Sequence, residues 1–156
     1  MSVEKNGAVT GGVKWILRLE GLAIFLYALF CFFTPEIFAR MSWGLILALF
    51  LVPDLSFFGY LINKKVGAVC YNIMHSYVGI FCVFPFYCSS SNVLWFVHPV
   101  GMLWVAHIGL DRFLGFGLKY SEGFEYTHLG KIKGFGSKKV ADVQKNGAVT
   151  GAVNWL

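Results

Sequence analysis

The stretch Trp104–Tyr120, WVAHIGLDRFLGFGLKY, decides how this chain is read, because it carries His107, Asp111 and Arg112 inside an otherwise apolar run. His107 and Asp111 are four residues apart, so on a helix they share one face. The surroundings are equally apolar: 57% of the 156 residues are hydrophobic and only 13% are charged, and the mean hydropathy is +0.65. An average soluble domain carries roughly 25% charged residues. The composition is that of a membrane protein, and the length allows one compact domain of a few spanning helices.

Four windows are long and apolar enough to cross a hydrocarbon core about 30 Å thick: Trp15 to Phe33, Met41 to Ile62, Val66 to Cys88, and Val93 to about Gly115. The first carries Arg18 and Glu20 and has no small-residue exit at Phe32-Phe33-Thr34-Pro35, so it reads as a span of the mature chain and not as a cleaved signal. Short polar breaks separate the windows. Thr34-Pro35-Glu36 ends the first because proline lacks a backbone donor, Asn63-Lys64-Lys65 makes a tight hairpin, and Ser89-Ser90-Ser91-Asn92 makes a polar turn. The predicted fold is all-α, an antiparallel, up-down four-helix transmembrane bundle. Residues 1–14 form a basic arm, 15–118 the four-span domain, and 119–156 a basic cytoplasmic tail or linker.

Basic residues set the orientation. Twelve of the thirteen fall on the arm, the second loop and the end of span four with its tail; only Arg40 lies opposite. Both termini are therefore expected on the cytoplasmic-equivalent side of a bacterial inner membrane or an organellar membrane. The net charge of +5 describes a rim facing anionic headgroups. The partners this implies are the lipid bilayer and other membrane subunits or a second copy of the chain; nothing calls for nucleic acid.

Counting inward from the cytoplasmic boundary at 1.5 Å per residue, Glu20 sits about 8 Å deep, Asp54 about 12 Å, His75 about 13 Å and His107 about 12 Å. Four helices thus bring ionisable groups to one inner layer, with Asp111 a turn nearer the cytoplasm and Asn72 a turn before His75. A charge near the bilayer centre costs something like 2.5–3.5 kcal/mol on insertion scales, so such residues turn inward and find one another.

Several chemistries remain open. Arg18 or Arg112 can neutralise Glu20 and Asp111 in an ion-pair network that orders the bundle. Alternatively Asp54, His75, His107 and Asp111 are the ligand types that hold zinc, iron or manganese, with Glu20 as general base or further ligand. Proton or ion conduction along the same groups, and ligation of a haem or other pigment by one histidine, are further possibilities. The H-x-x-x-D spacing singles out none of them. His98-Pro99 lies about 13 Å above His107 along the axis and reads as a kink or interfacial residue. His128 reads as a solvated loop histidine, with folding under the inner mouth as the alternative. Cys31, Cys70, Cys82 and Cys88 read as small packing residues, Cys88 being the one placed for oxidation.

The chain also repeats itself. Lys5 to Ile16, KNGAVTGGVKWI, returns as Lys145 to Leu156, KNGAVTGAVNWL, with nine of twelve positions identical at an offset of 140. The expectation is a unit of a tandem array, with a second unit starting at 145 and Gly130 to Thr150 as linker.

Arg18-Leu-Glu20-Gly21, Pro53-Asp54-Leu-Ser56 with Gly59-Tyr60, Tyr71-Asn72-x-x-His75-x-Tyr77, and above all AHIGLDRFLGFGLKY followed by GFEYTHLG carry a resemblance. Over about Trp15 to Gly130 the chain resembles an uncharacterised domain-of-unknown-function family of small four-helix integral membrane proteins. The resemblance implies the architecture and the pairing of these polar positions, and brings no activity, substrate or cofactor. Glu125-Tyr126 departs from the Lys-Asp pair expected there. Pro53-Asp54 and His75-Ser76 are also similar to elements of membrane-bound metal-dependent hydrolases, although Leu55-Ser56 stands where a second aspartate is expected.

Two functional expectations follow. One is a metal-dependent membrane enzyme acting on a lipid-like substrate near the cytoplasmic leaflet, with Arg18, Arg112 and Asn72 as substrate or ion-pair residues. The other is a noncatalytic small subunit of a larger membrane complex, its polar cluster a structural ion-pair network.

Overall fold

A computed structural model describes residues 9, 11–80, 82 and 94–132. The expected turn at Ser89–Asn92, Cys88 and the repeat copy Lys145–Leu156 lie outside the described residues. The chain is mostly helical. Helix α1 spans Gly11–Phe32. The extended Thr34 and the following proline stop it, and Pro35 opens the short α2, Pro35–Arg40, where a missing N–H costs nothing. Ser42 then caps α3, Trp43–Leu51, its hydroxyl accepting the Leu45 N–H at 3.4 Å. Asn63 caps α4, Lys64–Met74, its side-chain oxygen accepting the Val66 N–H at 2.8 Å. The last long helix, α5, runs Leu94–Leu114 with the buried Pro99 inside it. Gly115, at φ +97, ends it as Gly115 and Phe116 N–H both return to the Asp111 carbonyl, at 3.0 and 2.7 Å.

Two predicted spans differ in detail. The second is continuous only in a broad sense: after α3 the chain tightens at Val52-Pro53 into a 3₁₀ helix, Val52–Leu61. With three residues per turn its side chains fall into three rows. Pro53 and Ser56 are buried, Leu55, Phe58 and Leu61 are exposed, and Asp54, Phe57 and Tyr60 form the row that turns to α4. The third, expected as one helix over 66–88, breaks at His75. That residue leaves helical geometry at φ −106, ψ 16 while its N–H closes the last turn on Tyr71, and helix resumes over 77–80.

Small residues form both seams of the fold. α1 and α5 run antiparallel and touch backbone to backbone: a Cβ on Gly109 would lie 2.7 Å from Phe25 N and 2.9 Å from Gly21 O, and one on Gly21 would lie 2.8 Å from Gly109 O. The buried Ala28 and Ala106 continue this seam. The 3₁₀ segment and α4 form the other antiparallel pair, where a Cβ on Gly59 would meet Cys70 at 3.0 Å and one on Gly67 would overlap the Tyr60 ring. α3 also packs on α5, and Phe32, Met41, Ile46 and Leu103 fill the core between them.

Outside these seams the surface is apolar. Two helices among the described residues, Gly11–Phe32 and Trp43–Leu61, are long and apolar enough to cross a membrane, with 17% and 11% of their apolar windows buried. Phe30 and Leu61 are more than four-fifths exposed. Exposed apolar surface of this extent marks a membrane or protein contact. Free cysteines Cys31 and Cys70 are half-buried within this packing, and Cys82 is exposed.

A side chain at Gly109 must separate α1 from α5, since only backbone opposes it. Gly109→Val is expected to lower the thermal midpoint of the detergent-solubilised protein by several degrees, a destabilisation of at least about 1–3 kcal/mol. Gly44→Ala, where a Cβ meets nothing within 4 Å, is expected to leave it unchanged.

Candidate metal centre

Three elements converge on one point. The 3₁₀ row presents Asp54, the break after α4 presents His75, and α5 presents His107 from the turn above Asp111. Asp54 Oδ1 lies 3.5 Å from His75 Nε2 and 3.4 Å from His107 Nε2, and the two Nε2 atoms are 3.3 Å apart. These donors form a near-equilateral triangle. A tetrahedral ion with ligands at about 2.0–2.1 Å requires donor separations of about 3.3–3.4 Å, so the triangle already has the edge length of a tetrahedral face. His75 and His107 are buried and Asp54 is partly open.

Tyr71 orients the first histidine. Its carbonyl accepts the His75 Nδ1–H at 3.0 Å, and its ring stacks on the imidazole at 3.7 Å between centroids and 9° between planes. A proton on Nδ1 leaves the lone pair on Nε2, the atom aimed at the triangle; metal-bound histidines are held in this way. His107 is held by packing, edge-on to Phe50 at 5.0 Å, and its Nδ1 is buried with no hydrogen-bond partner. Asp111 stands beside the triangle. Its Oδ2 lies 3.6 Å from His75 Nε2 and accepts the Tyr71 hydroxyl at 2.7 Å.

The model of one protein family, Domain of unknown function (DUF4260), matches residues 14–132. The chain belongs to this family. No curated protein and no solved structure matches it.

The DUF4260 region contains every residue of the triangle, but not every polar residue of the predicted spans joins it. Glu20 does not join them. It is exposed on α1, because its neighbour Gly21 is the residue pressed against α5 and one residue turns a helix by about 100°. Arg18 donates from Nε to the Phe113 carbonyl at 2.6 Å and lies 4.9 Å from the Trp15 ring. Arg112 donates to the His75 carbonyl at 3.4 Å, and its other terminal nitrogen is 2.9 Å from His128 Nε2. Neither arginine forms an ion pair with Glu20 or Asp111 among the described residues. Asn72 is engaged outside the cluster, bonding the Lys119 carbonyl at 2.8 Å and N–H at 2.7 Å. His98 lies half-buried in α5 beside Pro99, where the helix stays continuous.

The end of the DUF4260 region is folded where the sequence suggested a linker. Strands β1, Tyr126–Thr127, and β2, Gly130–Lys131, form a hairpin, and Thr127 and Leu129 are buried. His128 folds under the bundle, its Nδ1 accepting the Leu118 N–H at 2.9 Å. Burial and then the Arg112 guanidinium push its pKa below the ordinary value, so the ring is neutral at neutral pH. Lys119 is the more costly residue. It is 3% exposed, and its ammonium has no hydrogen-bond acceptor; it lies 3.8 Å from the Phe124 ring centre and 4.9 Å from that of Tyr71. Burial pulls its pKa from 10.5 down to about 8, against a smaller opposing pull from Asp111.

A lowered lysine pKa means that the unfolded chain binds the proton more tightly, so protonation costs stability below pH 8 and the cost fades as pH rises toward 10.5. Lys119→Met is therefore expected to be more stable than wild type at pH 7, by up to roughly 3 kcal/mol less what the ring contacts return. In denaturant titrations the gap should narrow steadily between pH 8 and 10.5.

Proposed function

We propose that this chain is an integral membrane protein that binds one divalent metal, zinc, iron or manganese, at Asp54, His75 and His107, and uses it for hydrolysis of a lipid-like substrate. The observation that supports this best is the donor triangle, whose three edges match a tetrahedral metal face while the His75 tautomer is set for ligation. Three protein ligands leave a fourth position for water, the arrangement of catalytic and not structural zinc sites. A zinc held there would lower the pKa of that water to about 7 and so would supply hydroxide at neutral pH. Asp111, next to His75, is the residue placed to accept a hydrogen bond from it.

The membrane reading keeps four spans, over about 15–33, 41–62, 66–88 and 93–115, and both termini on the cytoplasmic-equivalent side. The third span is then a broken helix and the second a helix with a 3₁₀ half. Irregular backbone at membrane depth is tolerated where it lines a polar site, and both irregularities here carry a donor of the triangle. Arg18 and Arg112, at the same end of α1 and α5, are the groups to hold an anionic headgroup. The bilayer is the partner this surface requires, and a further copy or another membrane subunit can share it.

Protein purified in detergent without chelator is expected to carry close to one zinc, iron or manganese per chain by inductively coupled plasma mass spectrometry. His75→Ala and His107→Ala should each lose it. A metal-free, colourless wild type would overturn this reading and leave a noncatalytic subunit with an ion-paired core.

A further inference from the structure

Tyr71 makes more contacts with the cluster than any hydrolytic scheme asks of it. One residue accepts the His75 Nδ1–H through its carbonyl, stacks on the His75 ring, and donates its hydroxyl to Asp111. The first two contacts orient a ligand. The third serves a different end, because Asp111 is a carboxylate 3.6 Å from His75 Nε2 that stands outside the Asp54/His75/His107 donor set. A carboxylate that close to a dication in apolar surroundings is drawn to it. Once bound, it would fill the fourth position and turn an open site into a closed one, which is the difference between catalytic and structural metal sites.

We propose that Tyr71 is a positioning residue that keeps the metal's fourth position open by holding Asp111 off the ion through its hydroxyl. This rests on the metal reading above. The geometry favours restraint because one bond anchors the Tyr71 backbone, the stack holds its ring, and the other bond holds the tip of its side chain. The carbonyl and ring are fixed against His75, so the hydroxyl cannot follow Asp111 toward the triangle without breaking the stack. The 2.7 Å bond is of the short, charge-assisted kind. Removing only the hydroxyl leaves the stack and the His75 bond in place and strands a half-buried carboxylate with no donor, whose best remaining partner is the metal.

The test uses the full chain in detergent, loaded with cobalt(II), whose visible absorption reports coordination, and titrated with azide as a probe of an exchangeable position. Wild type is expected to bind one cobalt and to shift its spectrum with azide. Tyr71→Phe should keep the cobalt but weaken the azide response at least tenfold, and Tyr71→Phe/Asp111→Asn should restore it. Asp111→Asn alone should keep both cobalt and azide response. A purely structural role for Tyr71 would not be rescued by the second substitution. An unchanged azide response in Tyr71→Phe would overturn the proposal, as would a wild type that binds cobalt without responding to azide. Loss of cobalt in Asp111→Asn would also overturn it, since Asp111 would then be a ligand already; this holds even if Tyr71→Phe fails to fold. Failure of wild type to bind cobalt is a separate result and removes the metal reading itself.

Discussion

A carboxylate or imidazole packed among apolar side chains has lost most of its water, and this one constraint shapes the middle of the molecule. Each polar group there must find a protein partner or carry a desolvation cost of several kcal/mol. Asp54, His75, His107, Asp111 and Tyr71 meet this constraint collectively, through contacts of 2.7 to 3.6 Å. Even so the set is short of protons and charge. Two imidazole nitrogens face each other, and two carboxylates have a single tyrosine donor and no arginine. A dication would supply what these groups lack, whereas an ion-pair network would have drawn in Arg18 or Arg112, and both bond elsewhere.

The helices hold that arrangement because glycine lets them approach. At Gly21/Gly109 the two backbones meet directly, and at Gly59 and Gly67 the missing Cβ makes room for Cys70 and the Tyr60 ring, so the elements that carry the donors are fixed at close range. The Asn72 bonds to the Lys119 backbone and the His128 contacts then tie the following loop and hairpin to the same two helices. Lys119 shows that this closure is strained energetically: an ammonium is buried among rings beneath the site, although solvent would solvate it better.

The convergence of three of the polar residues was legible in the sequence, but azimuth was not. Counting at a fixed rise per residue places Asp54, His75 and His107 in one layer, and they do meet. The same count places Glu20 there, yet it faces outward, because rise says nothing of rotation. Gly21 and Ala28, seven residues apart, mark the buried face of α1 and are the signal that separates the two. Tyr71 sits four residues before His75, shares its face and belongs to the motif Tyr71-Asn72-x-x-His75-x-Tyr77, but the motif does not show that its hydroxyl reaches Asp111 on another helix. The hairpin was hidden by composition. Gly, Lys and Thr read as linker, and only long-range contacts, such as Val9 N–H to the His128 carbonyl at 2.8 Å, show it to be a folded cap. The break at His75 was likewise missed: its one signal is Gly79, where a Cβ would lie 2.9 Å from the Ile73 carbonyl oxygen across the break.

The 3₁₀ winding of Val52–Leu61 also changes how far the chain reaches. A 3₁₀ helix rises about 2.0 Å per residue against 1.5 Å for an α-helix. The nineteen residues of Trp43–Leu61 therefore extend about 33 Å, where an unbroken α-helix of the same residues would extend about 28 Å. A hydrocarbon core is about 30 Å thick. If these nineteen residues cross a bilayer, as proposed above, the tightened half brings them past that thickness, and the winding that aims Asp54 toward the histidines adds about 5 Å of reach.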